Sequence, residues 1–139
     1  MATIEKHVTR DVIALDGAAP CREAARLMAE RRVGSIAVSE GGRIVGIVTE
    51  RDLAIRVVAT GAGPDLPVRD AMRKDLPTIA PGASETDVSE LMKQQYTRHL
   101  LVEEGGKVVG IISMRDVIQL MLDDKQWLIE QLQSYIDGR

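Results

Sequence analysis

Residues 33–52 read VGSIAVSEGGRIVGIVTERD, and residues 97–116 read TRHLLVEEGGKVVGIISMRD. In each stretch, two short apolar runs flank a Gly-Gly pair, which can supply the positive φ angles of a tight hairpin turn. Each stretch ends in a hydroxyl residue that is followed three positions later by Asp, just before a new apolar run at helical spacing. The pattern predicts two β-hairpins, each of which leads directly into a helix.

The two stretches are copies of one repeated unit, separated by a constant offset. Val45-Gly46-Ile47 is answered 64 residues later by Val109-Gly110-Ile111, and no gap is needed on either side. Upstream of each hairpin, apolar residues recur at helical spacing, with Pro20 and Ser84 suited to begin the two helices. Each copy is therefore predicted to fold as helix, hairpin and helix.

The repeat predicts an α+β fold made of two tandem domains. One unit alone leaves an apolar sheet face exposed, so the copies are expected to pack about a pseudo-twofold axis. A chain of 139 residues is also too short for two domains that each bury a self-sufficient core. The predicted organisation is a first domain at 4–60, a linker at 61–67, a second domain at 68–123 and a helical extension at 124–139.

Composition argues against several classes of protein. The formal net charge is −3 and the chain has one Trp, two Tyr and no Phe, which disfavours a nucleic-acid surface or a base-stacking platform. No stretch approaches the ~20 apolar residues of a membrane span, and the first residues lack the apolar core of a signal peptide. We therefore expect a cytoplasmic protein that binds neither nucleic acid nor membrane.

Catalytic and metal-binding chemistry also find little support in the sequence. The one cysteine and two histidines are too few and too scattered for a zinc site, so no metal is expected. Cys21 has no histidine in a sequence context that suggests a partner base. The chain is predicted not to be an enzyme.

The hydroxyl and carboxylate pairs Thr49/Asp52 and Ser113/Asp116 are the residues that could carry chemistry. One interpretation is a capping box, in which the hydroxyl accepts from a free N–H of the helix. The other is ligand binding, because a strand that opens into a helix N-terminus presents N–H groups and a positive dipole end to phosphate. A carboxylate one turn further can accept both hydroxyls of a ribose. The spacing therefore fits a nucleoside phosphate as well as a cap.

The duplicated GIVTERD and GIISMRD motifs with their preceding hairpins resemble tandem CBS domains, the paired unit often called a Bateman module. The resemblance extends from about Ile4 to Leu122 and includes a short leading strand before each first helix. It implies that AMP, ADP, ATP, NAD or S-adenosylmethionine binds in the cleft between the two copies. Some members of the family bind no known ligand.

The resemblance also assigns roles to individual positions. Asp52 and Asp116 are expected to hold ribose hydroxyls, and Thr49 and Ser113 to contact the ribose or the α-phosphate. The leading strands are expected to touch adenine through backbone groups, at Ile13, Ala14, Thr78, Ile79 and Ala80.

Phosphate charge is expected near Arg98 and His99 in the second copy, although His99 can equally be an ordinary strand residue. The first copy has Gly34 and Ser35 at the equivalent positions, so its phosphates would rely on Arg51, Arg56 or residues of the other copy. We therefore expect two unequal sites. Arg51, Arg56 and Arg115 can also be solvated helix residues.

Taken together, the sequence predicts a regulatory module that binds an adenine nucleotide, AMP first of all, and signals occupancy to an unknown protein effector. One alternative is a sensor of NAD or S-adenosylmethionine, and another is a ligand-free dimerisation scaffold in which the motifs only cap helices. The extension places Leu128, Leu132, Tyr135 and Ile136 at helical spacing. This stripe favours a homodimer.

Overall fold

Strands and helices follow one another in the order that the repeat predicts. The computed structural model describes residues 2–138. In chain order the labelled elements are β1 (Ala14–Asp16), α1 (Cys21–Arg31), β2 (Ser35–Glu40), β3 (Arg43–Thr49), α2 (Glu50–Leu53), α3 (Val68–Ala71), α4 (Glu85–Gln95), β4 (His99–Glu104), β5 (Lys107–Ser113) and α5 (Met114–Ile136). A 3-10 helix (Ile4–His7) precedes β1, and a π-helix (Ala54–Val58) continues α2.

Both predicted hairpins are confirmed. β2 pairs antiparallel with β3, and β4 pairs antiparallel with β5. The turn glycines all have positive φ, 58° and 80° at Gly41 and Gly42 and 60° and 78° at Gly105 and Gly106, which the two-residue type I′ turn requires. This register brings the first residue of each hairpin opposite the last, so the strand start lies beside the start of the following helix.

The leading strand is complete in the first copy and reduced to one residue in the second. β1 pairs in parallel with β2 over its three residues. In the second copy only Ile79 bridges to Val102, through its N–H to the Leu101 carbonyl at 3.0 Å and its carbonyl to the Glu103 N–H at 2.9 Å. Pro77 and Pro81 flank Ile79, and proline has no N–H to extend a ladder.

The predicted helix starts at Pro20 and Ser84 are confirmed as the caps of α1 and α4. The second helix of the first copy differs from the regular helix that the sequence predicts. α2 covers four residues and then widens into the π-helix, in which the Ala59 N–H donates to the Ala54 carbonyl at 2.9 Å. In the second copy the equivalent segment is the regular first part of α5.

The chain folds into two compact units. The first segment of each repeat belongs to the unit that contains the rest of the other repeat. One unit spans Arg10 to Thr78, and the other combines the residues up to Thr9 with those from Ile79 onward. The 3-10 helix near the N-terminus therefore packs on α5, with Ile4 fully buried. Its counterpart in the second repeat, α3, packs on α1. The predicted boundaries at 60 and 68 follow the sequence repeat and remain a prediction for the domains.

Each unit has its own apolar core between sheet and helices. In the unit from Arg10 to Thr78, the buried side chains come from α1, β2, β3, α3 and the π-helix; they include Ala24, Met28, Ile36, Val38, Val48, Val57 and Val68. In the other unit the fully or nearly fully buried side chains include Ile4, Val88, Met92, Leu100, Ile112 and Val117. The exchanged segments thus contribute to both cores.

Gly46 and Gly110 are needed because the exchanged segments pass directly over them. A Cβ at Gly46 would lie 2.6 Å from Sδ of Met72, and a Cβ at Gly110 would lie 2.6 Å from the carbonyl oxygen of Thr9. The Thr9 backbone is fixed, because its N–H and carbonyl both bond to Ile111 at 2.9 Å. The methionine side chain, in contrast, is unbranched and can change rotamer.

We expect Gly110→Ala to destabilise the protein by about 1–3 kcal/mol and Gly46→Ala by less than about 1 kcal/mol. The added methyl meets fixed backbone in the first variant and a flexible side chain in the second. Urea unfolding of the two variants measures the difference. Equal losses, or a larger loss for Gly46→Ala, would show that the Thr9 segment yields as easily as the Met72 side chain.

Candidate functional site

The carboxylate of Asp52 is held by the residue that ends the preceding strand. The Thr49 backbone N–H donates to Asp52 Oδ2 at 2.9 Å, and the Thr49 hydroxyl donates to the same oxygen at 3.0 Å. In return, Thr49 Oγ1 accepts from the Asp52 N–H at 3.2 Å. This is a complete capping box at the start of α2.

Ser113 and Asp116 form the same arrangement at the start of α5. The Ser113 N–H and hydroxyl each donate to Asp116 Oδ2 at 2.8 Å, and Ser113 Oγ accepts from the Asp116 N–H at 3.2 Å. The capping interpretation of both motifs is therefore correct. In each copy the capping box fixes Oδ2 of the aspartate, and the cap does not use Oδ1.

The two Oδ1 atoms differ in what they contact. Arg56 Nη1 donates to Asp52 Oδ1 at 2.7 Å and to the Ala71 carbonyl at 3.2 Å, and the Asp52 side chain is only 8% exposed. Leu120 replaces Arg56 in the second copy and is buried. Among the residues that the structure describes, no cation pairs with Asp116, whose side chain is half-buried rather than buried. Oδ1 of Asp52 is thus paired with an arginine, whereas Oδ1 of Asp116 has no cation partner among the described residues.

The starts of the hairpins lie beside these caps. Ser35 is opposite Thr49 in the β2–β3 register, and the Gly34 carbonyl accepts from the Glu50 N–H at 3.1 Å. In the second copy, His99 is opposite Ser113, and the Arg98 carbonyl accepts from the Met114 N–H at 2.8 Å.

The side chains at these positions differ between the copies. Ser35 is buried, whereas Arg98 is exposed and His99 is half-buried. The second copy therefore has an exposed arginine at the position whose carbonyl bonds to the start of α5, and the first copy has no cation at the equivalent position.

The remaining predicted positions occupy the first helical turns and the leading strands. Arg51 and Arg115 are exposed, each one residue before a capped aspartate. Ala14 is aligned with Ala37 of β2, and the Ile13 carbonyl accepts from the Ala37 N–H at 2.9 Å. The predicted adenine-contact positions in the second leading segment lie in different units, with Thr78 in one and Ile79 and Ala80 in the other.

Sequence reasoning missed the ion pair that closes the first carboxylate. Arg56 was expected near phosphate, but its guanidinium is bonded to Asp52. The signal was present, since Asp and Arg four residues apart on a helix commonly pair. The additional bond to the Ala71 carbonyl could not be predicted, because it depends on where α3 packs.

Other groups with potential chemistry lie apart from the caps. Cys21 is buried, and its pKa is raised by burial and by the nearby Asp70 carboxylate. Within residues 2–138, no cluster of three or more His, Cys, Asp or Glu side chains could hold a metal ion. None of the helices described is both long and apolar enough to cross a bilayer.

Comparisons with known proteins agree on one family. The CBS domain model matches residues 4–59 and again residues 68–123. The CBS domain-containing protein YhcV of Bacillus subtilis is 33% identical over 117 residues, which are 84% of each chain. Two further curated relatives are longer, and the chain spans 58% and 62% of their length.

Solved structures give the same result. A protein with CBS domains from Burkholderia ambifaria is 30% identical and superposes with a TM-score of 0.83, over 88% of this chain and 96% of that one. The CBS domain pair of protein MJ0100, solved with 5-methylthioadenosine and S-adenosyl-L-methionine, has a TM-score of 0.78 over 89% of this chain and 98% of its own, and at 18% identity shows the fold alone. The chain belongs to the CBS-domain family and carries a tandem CBS pair, a regulatory ligand-binding module.

Proposed function

We propose that this chain senses an adenosine-containing ligand, AMP first of all, and signals its occupancy to a protein effector. The observation that carries the proposal is the duplicated cap, which holds a carboxylate in one orientation at the end of each hairpin. A carboxylate whose position is fixed before binding loses little entropy when a ribose arrives. Ribose presents two adjacent hydroxyl donors, which suit a carboxylate acceptor.

The second copy is the better site in this proposal. Asp116 Oδ2 is fixed by Ser113, and Oδ1 can accept from ribose without first losing a cation. Arg98 is exposed near the positive end of α5, a helix of 23 residues, so both can attract a phosphate. In the first copy a ligand must displace or share Arg56.

Two alternatives from the sequence remain open. NAD and S-adenosylmethionine carry the same ribose, and MJ0100 was solved with two adenosine compounds. Calorimetry with AMP, ATP, NAD and S-adenosylmethionine separates these ligands. The other alternative is a ligand-free scaffold, which the complete capping boxes also support because they satisfy the helix starts without a ligand. The proposal includes a homodimer, for which the exposed apolar side chains of α5 are the support.

We expect Asp116→Asn to lower AMP affinity by about one to two decades, because it removes charge-assisted hydrogen bonds worth roughly 1.5–3 kcal/mol. It also weakens a helix cap. Asp87→Asn is the matched control, because Ser84 and Asp87 form the same capping box at the start of α4, with bonds of 3.1 Å in both directions. Calorimetry gives the affinities, and thermal unfolding gives the cost of the lost cap.

Similar loss of stability in both variants, with loss of affinity confined to Asp116→Asn, supports the binding role. Unchanged affinity in Asp116→Asn would mean that the motif only caps the helix.

We expect Arg56→Gln to raise AMP affinity at the first site, because it releases Asp52 Oδ1 from its ion pair. Arg51→Gln is the control, since Arg51 is exposed and has the same charge. Both variants are titrated in an Asp116→Asn background, so that calorimetry reports the first site. Weaker binding in Arg56→Gln than in Arg51→Gln would instead identify Arg56 as a phosphate ligand.

A further inference from the structure

α5 continues far beyond the part that packs on its own unit. Its first turns bury Val117 and Leu120, whereas every described residue after Leu120 is exposed. The exposed part, Met121–Ile136, has 16 residues and is about 24 Å long. The match to the CBS domain model ends at residue 123, so most of this part lies outside the family's repeat. The predicted extension at 124–139 ends on Arg139, which lies outside the described residues.

α5 carries a row of exposed apolar side chains on one face, called here the α5 stripe. It consists of eight side chains that are between 47% and 84% exposed, namely Ile118, Met121, Leu122, Leu128, Ile129, Leu132, Tyr135 and Ile136. Their spacing follows the heptad positions a, d and e, with Ile118 and Leu132 at a and Lys125 at the a position between them. The b and f positions carry Gln119, Asp123, Gln126, Glu130, Gln133 and Asp137.

The α5 stripe is on a different face from the residues that attach α5 to its own unit. Val117 and Leu120 occupy the g and c positions, on the side of the helix away from a and e. Asp123, which accepts from His7 Nε2 at 2.9 Å, is at f. The helix therefore has one face that is used within the chain and a second apolar face that is not.

The exposed part of α5 lacks the packing that stabilises most helices in proteins. Helical stability in proteins comes mostly from packing an apolar face rather than from the helix alone. We propose that the α5 stripe pairs with the α5 stripe of a second copy of this chain, in antiparallel orientation. This inference specifies the surface of the proposed homodimer and does not depend on nucleotide binding.

The area of the stripe matches what a dimer needs. Eight large apolar side chains that are between 47% and 84% exposed remove on the order of 700 Å² from water when covered, and a standard interface buries about 800 Å² per partner. The heptad spacing also allows side chains of two such helices to interlock as knobs into holes. A stripe of this kind is therefore complementary to itself.

The flanking positions favour the antiparallel orientation. In an antiparallel pair, e positions face e positions and g positions face g positions. The apolar e residues Leu122 and Ile129 then pack against each other, and the polar g residues Asp124 and Gln131 lie together at the solvent edge. A parallel pair would place the apolar e residues Ile129 and Ile136 against the polar g residues Asp124 and Gln131.

Lys125 favours the same orientation. In a parallel pair in register, Lys125 would face Lys125 of the partner subunit within the apolar seam, where like charges repel. In an antiparallel pair that overlaps residues 118–135, Lys125 lies opposite Leu128 of the partner subunit. The two ammonium groups are then separated, and each can extend along apolar surface toward water.

The interface is tested with two double variants of the full chain. Leu128→Glu with Leu132→Glu places charge in the stripe, and Gln126→Glu with Gln133→Glu adds the same number of carboxylates outside it. Light scattering and sedimentation then report the assembly, with the wild type expected at about twice 15.2 kDa. We expect the stripe variant to raise the dimer dissociation constant at least ~100-fold, with little change in the control.

A monomeric wild type would contradict both the homodimer and the stripe pairing. A stripe variant that remains dimeric would leave the homodimer intact and overturn the stripe pairing, because another surface would then hold the copies together. Equal dissociation of the control would also overturn it. Circular dichroism verifies that each variant is folded.

The orientation is tested by oxidising an equal mixture of Lys125→Cys and Leu128→Cys variants. Cys21 is buried with a raised pKa, so it does not compete for oxidation. An antiparallel pair should give mainly the mixed disulfide, which intact-mass measurement distinguishes from the two symmetric products. A predominance of the symmetric Lys125→Cys product would show a parallel pair and overturn the proposed orientation.

Discussion

The hydrogen bonds between a hydroxyl residue and an aspartate one turn later join strand to helix in both copies. Thr49 with Asp52 and Ser113 with Asp116 end the second hairpin strand, start the next helix and hold a carboxylate at that point. The same bonds serve stability and the proposed binding function. The caps remove the conformational freedom of the two carboxylates before any ligand arrives. This preorganisation lowers the entropy cost of binding.

The two copies differ in what surrounds this shared cap. The cap is the same in both, but Arg56 bonds to the first carboxylate and Leu120 stands at the equivalent place in the second. Arg56 thereby occupies Oδ1 of the first carboxylate, whereas no cation in the described part of the chain occupies Oδ1 of the second.

Local patterns predicted most of the fold, and contacts between distant segments were the part they missed. The Gly41-Gly42 turn and the caps follow from short sequence signals with a known mechanism. The packing of Ile4 on α5 and of Met72 against Gly46 involves residues far apart in sequence, which periodicity cannot detect. The sequence predicts unequal sites from Arg98 and His99, which stays a prediction, and the Arg56 ion pair is a further difference between the two caps.

The most direct test of the binding proposal compares AMP with its 2′,3′-dideoxy analogue on the unmodified protein. The two ligands share adenine and phosphate and differ only in the hydroxyls that the capped carboxylates are proposed to hold. Calorimetry should show affinity lower by about one to two decades for the dideoxy compound. Equal affinities would mean that the carboxylates serve only as helix caps and that any nucleotide is held elsewhere.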